Sequence, residues 1–162
     1  MKTLILYDTY TGTTEKCANL LAQNLNDAEV VNISKQKVPS LEAYDLVVLG
    51  TYVHAGKISK KIQDFCRKNL EILKTKKIGI FFCMLRGDQG IEEYTKANFS
   101  EDLLKAVKVK EYFGGELNYE KMNFFFRFIL KQIEKKTKPQ LGIKPERISS
   151  FAKRLKELNV NL

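Results

Sequence analysis

The chain has 162 residues, of which 44% are hydrophobic, so it is long enough for one substantial core and predicts a single domain over residues 1–162. Its net charge is +9, and residues 105–162 carry 14 Lys and Arg against 6 Glu, a balance of +8. No recognition helix, zinc finger or aromatic ribonucleoprotein motif accompanies this charge. Nucleic acid is therefore excluded as the expected partner, and an anionic substrate or a membrane surface is favoured.

The cysteines and the lack of long apolar stretches indicate where the protein works. Cys17, Cys66 and Cys83 are widely spaced, odd in number and unaccompanied by a histidine pattern, so they predict neither a disulfide framework nor a zinc site. We expect them to be reduced and buried. No apolar stretch is long enough for a signal peptide or a membrane-spanning helix, so the sequence predicts a cytoplasmic protein.

Apolar runs of strand length alternate with helical patterns along the chain. Strands are predicted at Lys2–Tyr7, Glu29–Ile33, Asp45–Gly50, Lys77–Cys83 and Val107–Gly114. Helices are predicted at Thr14–Asn26, Ser59–Leu73 and Pro145–Leu158, and the polar stretch after Cys83 leads into a partly helical one at Gly90–Val107. The uninterrupted run Leu46–Leu49 is typical of a central strand buried on both faces. This alternation predicts an α/β fold with a parallel sheet and right-handed crossovers.

The most informative stretch lies between the first strand and the first helix. It contains four threonine hydroxyls and one glycine, in the order Thr9, Tyr10, Thr11, Gly12, Thr13, Thr14. The unpaired N–H groups and the positive dipole end of a helix start favour a phosphate here, and hydroxyls add hydrogen-bond donors. Ordinary N-capping is the alternative, because threonine is a common cap. Asp8, directly before the loop, is interpreted as a turn residue.

The run from Ile5 to Leu21 resembles the signature of the flavodoxin superfamily. It has two apolar residues, an aromatic, a hydroxyl, a small residue, then Thr14, Ala18 and a further apolar residue. The resemblance implies a flavodoxin-like three-layer sandwich with a five-stranded parallel sheet in the order 2-1-3-4-5. It also implies that the threonine-rich loop holds the phosphate of FMN.

In a doubly wound sheet of this order, ligands bind beyond the carboxyl ends of strands one and three. The loop after strand three contributes Thr51, Tyr52, Val53 and His54, which by position in flavodoxin-like proteins lie against the isoalloxazine. Tyr52 could stack on the ring or simply cover the sheet edge, and no second stacking ring can be named. The loop after strand four would border the ring from the other side through Cys83, Met84, Leu85, Arg86, Gly87 and Asp88.

Two side chains are candidates for catalysis. His54 is the only histidine and could exchange a proton near the flavin or a substrate, whereas a single loop histidine is often incidental. Arg86 could pair with a substrate carboxylate, although a single loop arginine is usually solvated. A three-glycine dinucleotide fingerprint, a Walker loop, a nucleophile elbow and a histidine-rich metal site are all missing from the sequence. The redox chemistry is therefore expected from the cofactor.

A minimal five-stranded flavodoxin fold does not require residues 118–138. Their centre, from Met122 to Lys136, predicts a phenylalanine-rich helix with a wide apolar face. Arg127, Lys131, Lys135 and Lys138 form a basic stripe at helical spacing. Small flavodoxin electron carriers are usually acidic, so both the net charge and this helix set the chain apart from them.

In its positive charge and its phenylalanine-rich helix, the chain resembles the flavodoxin-type, menaquinone-dependent protoporphyrinogen dehydrogenases. Further points of resemblance are Met1–Leu6, Ala43–Asp45, the Gly50–Lys57 loop, the polar segment after strand four, and Phe125–Phe128 after Gly114–Leu117. The resemblance implies an FMN-dependent enzyme of haem biosynthesis that takes reducing equivalents from a porphyrinogen and passes them to a quinone.

The basic aromatic helix would serve such an enzyme in two ways. It could hold the propionates of the substrate, and Lys121–Lys138 could contact an anionic membrane at the inner face of the cell membrane. The alternative is that Met122, Phe126, Ile129 and Ile133 pack onto the sheet as ordinary core. For the whole protein, the alternative function is a non-catalytic electron carrier between redox partner proteins.

Overall fold

Seven strands form the sheet of the computed structural model, which describes residues 1–85, 87–116, 124, 127–128, 131–132 and 141–158. The strands are β1 (Thr3–Tyr7), β2 (Ala28–Asn32), β3 (Leu46–His54), β4 (Lys57–Ile58), β5 (Lys77–Cys83), β6 (Val107–Gly115) and β7 (Gly142–Ile143). The order across the sheet is β2-β1-β3-β5-β6-β7, and β4 pairs with β3.

The five long strands are parallel and stand in the order predicted from the sequence. The other two are two-residue antiparallel additions: β4 pairs with the end of β3, and β7 pairs with the end of β6. The predicted sheet is thus confirmed, with two short strands added to it. The predicted third strand is also longer than expected, since β3 continues past Gly50 to His54.

Helices cover both faces of this sheet. They are α1 (Thr13–Gln23), α2 (Lys60–Lys68), α3 (Leu70–Leu73), α4 (Ile91–Asn98), α5 (Glu101–Ala106) and α6 (Pro145–Glu157), with a 3₁₀ turn at Leu41–Ala43. The helix predicted over Ser59–Leu73 is divided at Asn69, where φ is −114° and ψ is 21°. The Asn69 amide side chain donates to the Phe65 carbonyl at 2.9 Å, a local bond that competes with continuation of the helix.

Alternating side chains of each strand supply two separate cores. Leu46 and Val48 face the cluster that contains α1 and α6, whereas Val47 and Leu49 face the cluster that contains α2 to α5. Burial on both faces explains the continuous apolar run in β3. The three cysteines are free and buried, as predicted. The result is the predicted three-layer arrangement, with the carboxyl ends of the parallel strands at one edge.

The phenylalanine-rich segment is described only in part. Phe124, Arg127, Phe128, Lys131 and Gln132 are helical, as predicted. Phe124 is 87% exposed and Phe128 is 59% exposed. Met122, Phe126, Ile129 and Ile133, on which the core-packing alternative depends, lie outside the described residues. Among the helices in the described ranges, none combines the length and the apolar character that a membrane crossing requires.

Candidate functional site

The start of α1 has the features that a bound anion requires. Gly12 occupies the N-cap position with φ 100°, a left-handed conformation that glycine adopts readily, and no side chain caps the helix. The Thr9 hydroxyl instead accepts a hydrogen bond from the Gly12 N–H at 2.9 Å, which tightens the loop. The capping alternative is therefore not what the hydroxyls do here. The first turn of α1 is left available to a ligand.

The buried hydroxyl of Thr14 is a second feature that suits an anion at the start of α1. Its side chain is 1% exposed, and its hydroxyl lies beside the Cys83 thiol, a weak hydrogen-bonding group, and has no stronger partner within the part of the chain that the structure describes. Buried hydroxyls are usually paired, because an unpaired one loses its hydration without replacement. A ligand oxygen at the start of α1 would supply that partner.

The segment after Gly50 forms a hairpin, made by the end of β3 and by β4, rather than the predicted loop. β3 runs on through Thr51–His54, turns at Ala55 and Gly56, and returns as β4. The two turn residues have φ values of 49° and 77°. The hairpin presents Tyr52, Val53 and His54 to an open cleft beside the threonine-rich loop. The two loops predicted to meet at the switch point do so.

Three aromatic rings lie together at the mouth of this cleft. The Tyr10 ring centroid is 4.9 Å from that of His54 and 6.0 Å from that of Tyr52, with the planes tilted by 40° and 43°. Tyr10 is 53% exposed although it is a large aromatic side chain. Tyr10 is therefore the candidate for the second flavin-contacting ring that the sequence did not identify. Burial, followed by the nearby charge of Asp8, raises the pKa of Tyr52, so its phenol stays protonated at neutral pH.

The opposite wall of the cleft comes from the ends of β5 and β6. Cys83, Met84 and Leu85 line it together with Gly115 and Glu116. Cys83 is paired in register with Gly114, and the Met84 N–H donates to the Gly114 carbonyl at 3.0 Å. Sequence reasoning missed Gly115 and Glu116. The signal was available, because the predicted strand order places the carboxyl end of strand five beside that of strand four.

One ion pair lies at the cleft. Glu116 is the single carboxylate among the described lining residues, and it accepts from Lys16 Nζ of α1 at 2.8 Å. This hydrogen bond raises the pKa of Lys16. Burial, and then the neighbouring Cys17 thiol, raise the pKa of Cys83, so the thiol that lines the cleft stays protonated. The described residues contain no group of three or more metal-binding side chains.

The structure brings most of the predicted site residues together, and it separates a few of them. Those that line the cleft are Tyr10, Thr11, Thr13, Tyr52, Val53, His54, Cys83, Met84 and Leu85. Thr9, Gly12, Thr14 and Thr51 belong to the same loops but support the cleft rather than line it. Asp88 instead forms an ion pair with Arg147 of α6 at 2.8 Å, which lowers the pKa of the Asp88 carboxyl, and Gly87 lies in the turn before it. Arg86 lies outside the described residues.

Comparisons with known proteins agree with this geometry. Residues 4–141 match the sequence profile of the Flavodoxin domain family. The protoporphyrinogen IX dehydrogenase [quinone] of Escherichia coli strain K12 is 25% identical over 174 residues, which cover 98% of this chain and 96% of that protein. Oxidised flavodoxin 1 from Bacillus cereus superposes with a TM-score of 0.59 at 19% identity, covering 100% of this chain and 99% of that one. A Lactobacillus acidophilus flavoprotein solved in complex with FMN gives a TM-score of 0.52 at 19% identity, covering 68% of this chain and 91% of that one.

Proposed function

The chain belongs to the flavodoxin domain family, an FMN-binding fold, and from that membership we propose that it is an FMN-dependent, quinone-linked dehydrogenase that acts on protoporphyrinogen or a similar apolar anion. The observation that carries the substrate proposal is the nearly full-length similarity to the E. coli dehydrogenase. An exposed aromatic and basic helical surface, which a small carrier does not need, supports it.

The residues at the switch point fit FMN. The uncapped start of α1 suits its phosphate, because its N–H groups offer hydrogen bonds to an anion without a competing side-chain cap. Tyr10 and Tyr52 offer two rings on one side of the cleft for the flat isoalloxazine. The peptide backbone at Gly115 forms the other wall, where the lack of a side chain lets the end of β6 lie directly against the Met84 backbone.

When bound, FMN would supply the redox chemistry by accepting electrons from one substrate and giving them to another. The side chains of the cleft would then orient the reactants and exclude water. His54 is the group best placed to accept a proton from the substrate while the substrate is being oxidised, since its imidazole lines the cleft beside Tyr10. The protonated Cys83 and Tyr52 groups add no negative charge to the ring environment at neutral pH.

The described part of the phenylalanine-rich helix suits contact with an apolar, anionic surface. Phe124 and Phe128 stand one helical turn apart and are both exposed, and Lys131 is exposed nearby in sequence. Aromatic rings combined with lysine are typical of helices that lie on anionic membranes, where quinones dissolve. We propose peripheral binding at the inner face of the cell membrane through Lys121–Lys138.

Stopped-flow spectroscopy tests the enzyme proposal. Oxidised holoprotein mixed with protoporphyrinogen should lose its oxidised-flavin absorbance, and a menaquinone analogue should then restore it. Each of the two steps should be at least as fast as steady-state turnover with both substrates present. Absence of both steps in protein that has bound FMN would refute the dehydrogenase.

The membrane part of the proposal has its own test with a matched control. The double variant F124S/F128S should lose co-sedimentation with anionic lipid vesicles. Leu141 is a large hydrophobic residue that is 47% exposed and lies outside residues 121–138, so L141S should retain that binding. Equal binding by the wild type and F124S/F128S would overturn the membrane surface without affecting the FMN proposal.

The second candidate is an electron carrier that shuttles between redox proteins. Its support is the structural similarity to flavodoxins over the full length of both chains. A carrier would exchange electrons with a reductase and a protein acceptor, and it would not react with porphyrinogen and quinone at useful rates. The stopped-flow experiment therefore separates the two candidates.

A further inference from the structure

A buried carboxylate lies beneath the aromatic side of the cleft. Asp8 is 6% exposed at the carboxyl end of β1, and its N–H donates to the Gly50 carbonyl of β3 at 3.2 Å. Its carboxylate accepts a short hydrogen bond from the Ser34 hydroxyl and one of 2.6 Å from the Ser59 hydroxyl. A buried carboxylate is retained only when donors of this kind compensate for its lost hydration.

Ser59 connects this carboxylate to the hairpin that forms the cleft. The Ser59 N–H donates to the Thr51 hydroxyl at 3.1 Å, so one serine closes the base of the hairpin from Thr51 to Ser59. The Thr51 hydroxyl in turn donates to the Tyr52 carbonyl at 3.1 Å. The Ser59 hydroxyl also caps α2 by accepting from the Ile62 N–H at 3.4 Å. A chain of hydrogen bonds therefore runs from Asp8 to the backbone of Tyr52.

Ser34 forms the other arm of the network and leads away from the cleft. It follows β2, and its hydroxyl accepts from Lys61 Nζ at 3.0 Å. Neither Ser34 nor Lys61 lines the cleft. The carboxylate thus has two hydroxyl donors of the same type, of which only one belongs to the hairpin. This difference allows a matched comparison.

We propose that Asp8 is a positioning residue for the cofactor cleft, which acts through Ser59 to fix the Thr51–Ser59 hairpin and with it the Tyr52 ring. The expected effect of Asp8 on FMN affinity rests on the proposed function. The expected effect of Asp8 on the hairpin does not, because it can be measured without FMN. The influence of Asp8 on the pKa of Tyr52 agrees with this proximity.

Four serine variants test the connection. S59A should raise the FMN dissociation constant about tenfold, an effect of the size expected for one lost hydrogen bond to a charged group. S59T keeps the hydroxyl and should restore most of the affinity. S34A removes the other donor to Asp8 and should change affinity less than S59A. S100A removes a comparable helix cap on α5, where the hydroxyl accepts from the Leu103 N–H at 3.3 Å, and should leave affinity unchanged.

A second measurement needs no cofactor. D8N keeps the size of the side chain and removes its charge, so it should lower the pKa of Tyr52, as followed by NMR of tyrosine labelled at the phenol carbon. Amide hydrogen exchange in residues 51–59 should also accelerate in S59A. An unchanged Tyr52 titration in D8N, or equal effects of S59A and S34A on affinity and exchange, would overturn the proposal. Failure of the wild type to bind FMN would instead refute the proposed function, and the NMR and exchange results would still decide the role of Asp8.

Discussion

Replacing Gly115 by alanine tests whether the end of β6 forms one wall of the cofactor cleft. Its φ lies outside the left-handed region, so an added methyl group would act through space and not through backbone strain. An ideal Cβ at this position would lie 2.3 Å from the Met84 carbonyl oxygen and 2.6 Å from the Met84 carbonyl carbon. These are backbone atoms, which cannot rotate away as a flexible side chain can.

The size of the effect follows from how firmly the two segments are joined. A real Cβ needs more than 3.0 Å, so the Met84 backbone or the end of β6 must shift. The bond from the Met84 N–H to the Gly114 carbonyl, at 3.0 Å, resists that separation. Overpacking of this kind costs about 1–3 kcal/mol of the free energy of unfolding. Because Met84 and Leu85 line the cleft, we also expect the FMN dissociation constant to rise about tenfold, which corresponds to about 1.4 kcal/mol.

Urea denaturation and titration of FMN by fluorescence quenching measure the two effects separately. G79A is the matched control, because its Cβ would lie 3.1 Å from the side chains of Leu155 and Phe151, in the core beneath α6. G79A should change the free energy of unfolding while leaving FMN affinity unaltered. If G115A binds FMN as tightly as the wild type, the wall assigned to Gly115 and Glu116 is wrong.

Two further predictions concern stability. Burial raises the pKa of the Cys66 thiol from 9.0 to about 12, so the unfolded chain loses this proton first. Cys66 alone should therefore contribute about 4 kcal/mol to the fall in the free energy of unfolding between pH 9 and pH 12, and C66A should make that fall shallower in urea denaturation at alkaline pH. Glu111 accepts from Arg147 at 3.0 Å and from Arg154 at 2.6 Å, so E111Q should lower the free energy of unfolding by about 1.5–3 kcal/mol. D102N breaks an exposed pair that solvent screens, so it should lower the free energy of unfolding much less than E111Q.

Local sequence patterns predicted the parallel sheet well. The apolar run Leu46–Leu49 could be identified as a central strand because both of its faces are buried, a property that leaves a direct trace in the sequence. The threonine-rich loop could also be predicted from the sequence, since its glycine and hydroxyls stand at one strand-to-helix junction. The β3 extension was missed because Gly50 looked like a strand end, although Thr51, Tyr52 and Val53 favour strand conformation.

Long-range side-chain contacts were beyond prediction from the sequence. Asp8 was interpreted as a turn residue, and the structure corrects this, because its two hydroxyl donors lie 26 and 51 residues away in the chain. The Lys16–Glu116 pair joins residues 100 positions apart. Such contacts depend on how loops from different strands meet, and no local periodicity records them. The location of the cleft could therefore be predicted from the sequence, whereas the side-chain contacts around it required the structure.

The distribution of positive charge bears on the choice between enzyme and carrier. Four cations of the basic C-terminal part, Lys105, Lys110, Arg147 and Arg154, have carboxylate partners within the protein. Their charge is therefore largely balanced where they stand and does little to attract a distant anion. Six further cations of that part, at positions 121–138, belong to the segment that also carries Phe124 and Phe128. A partner that is both apolar and anionic satisfies this combination better than the basic surface of a redox protein, and this favours the dehydrogenase.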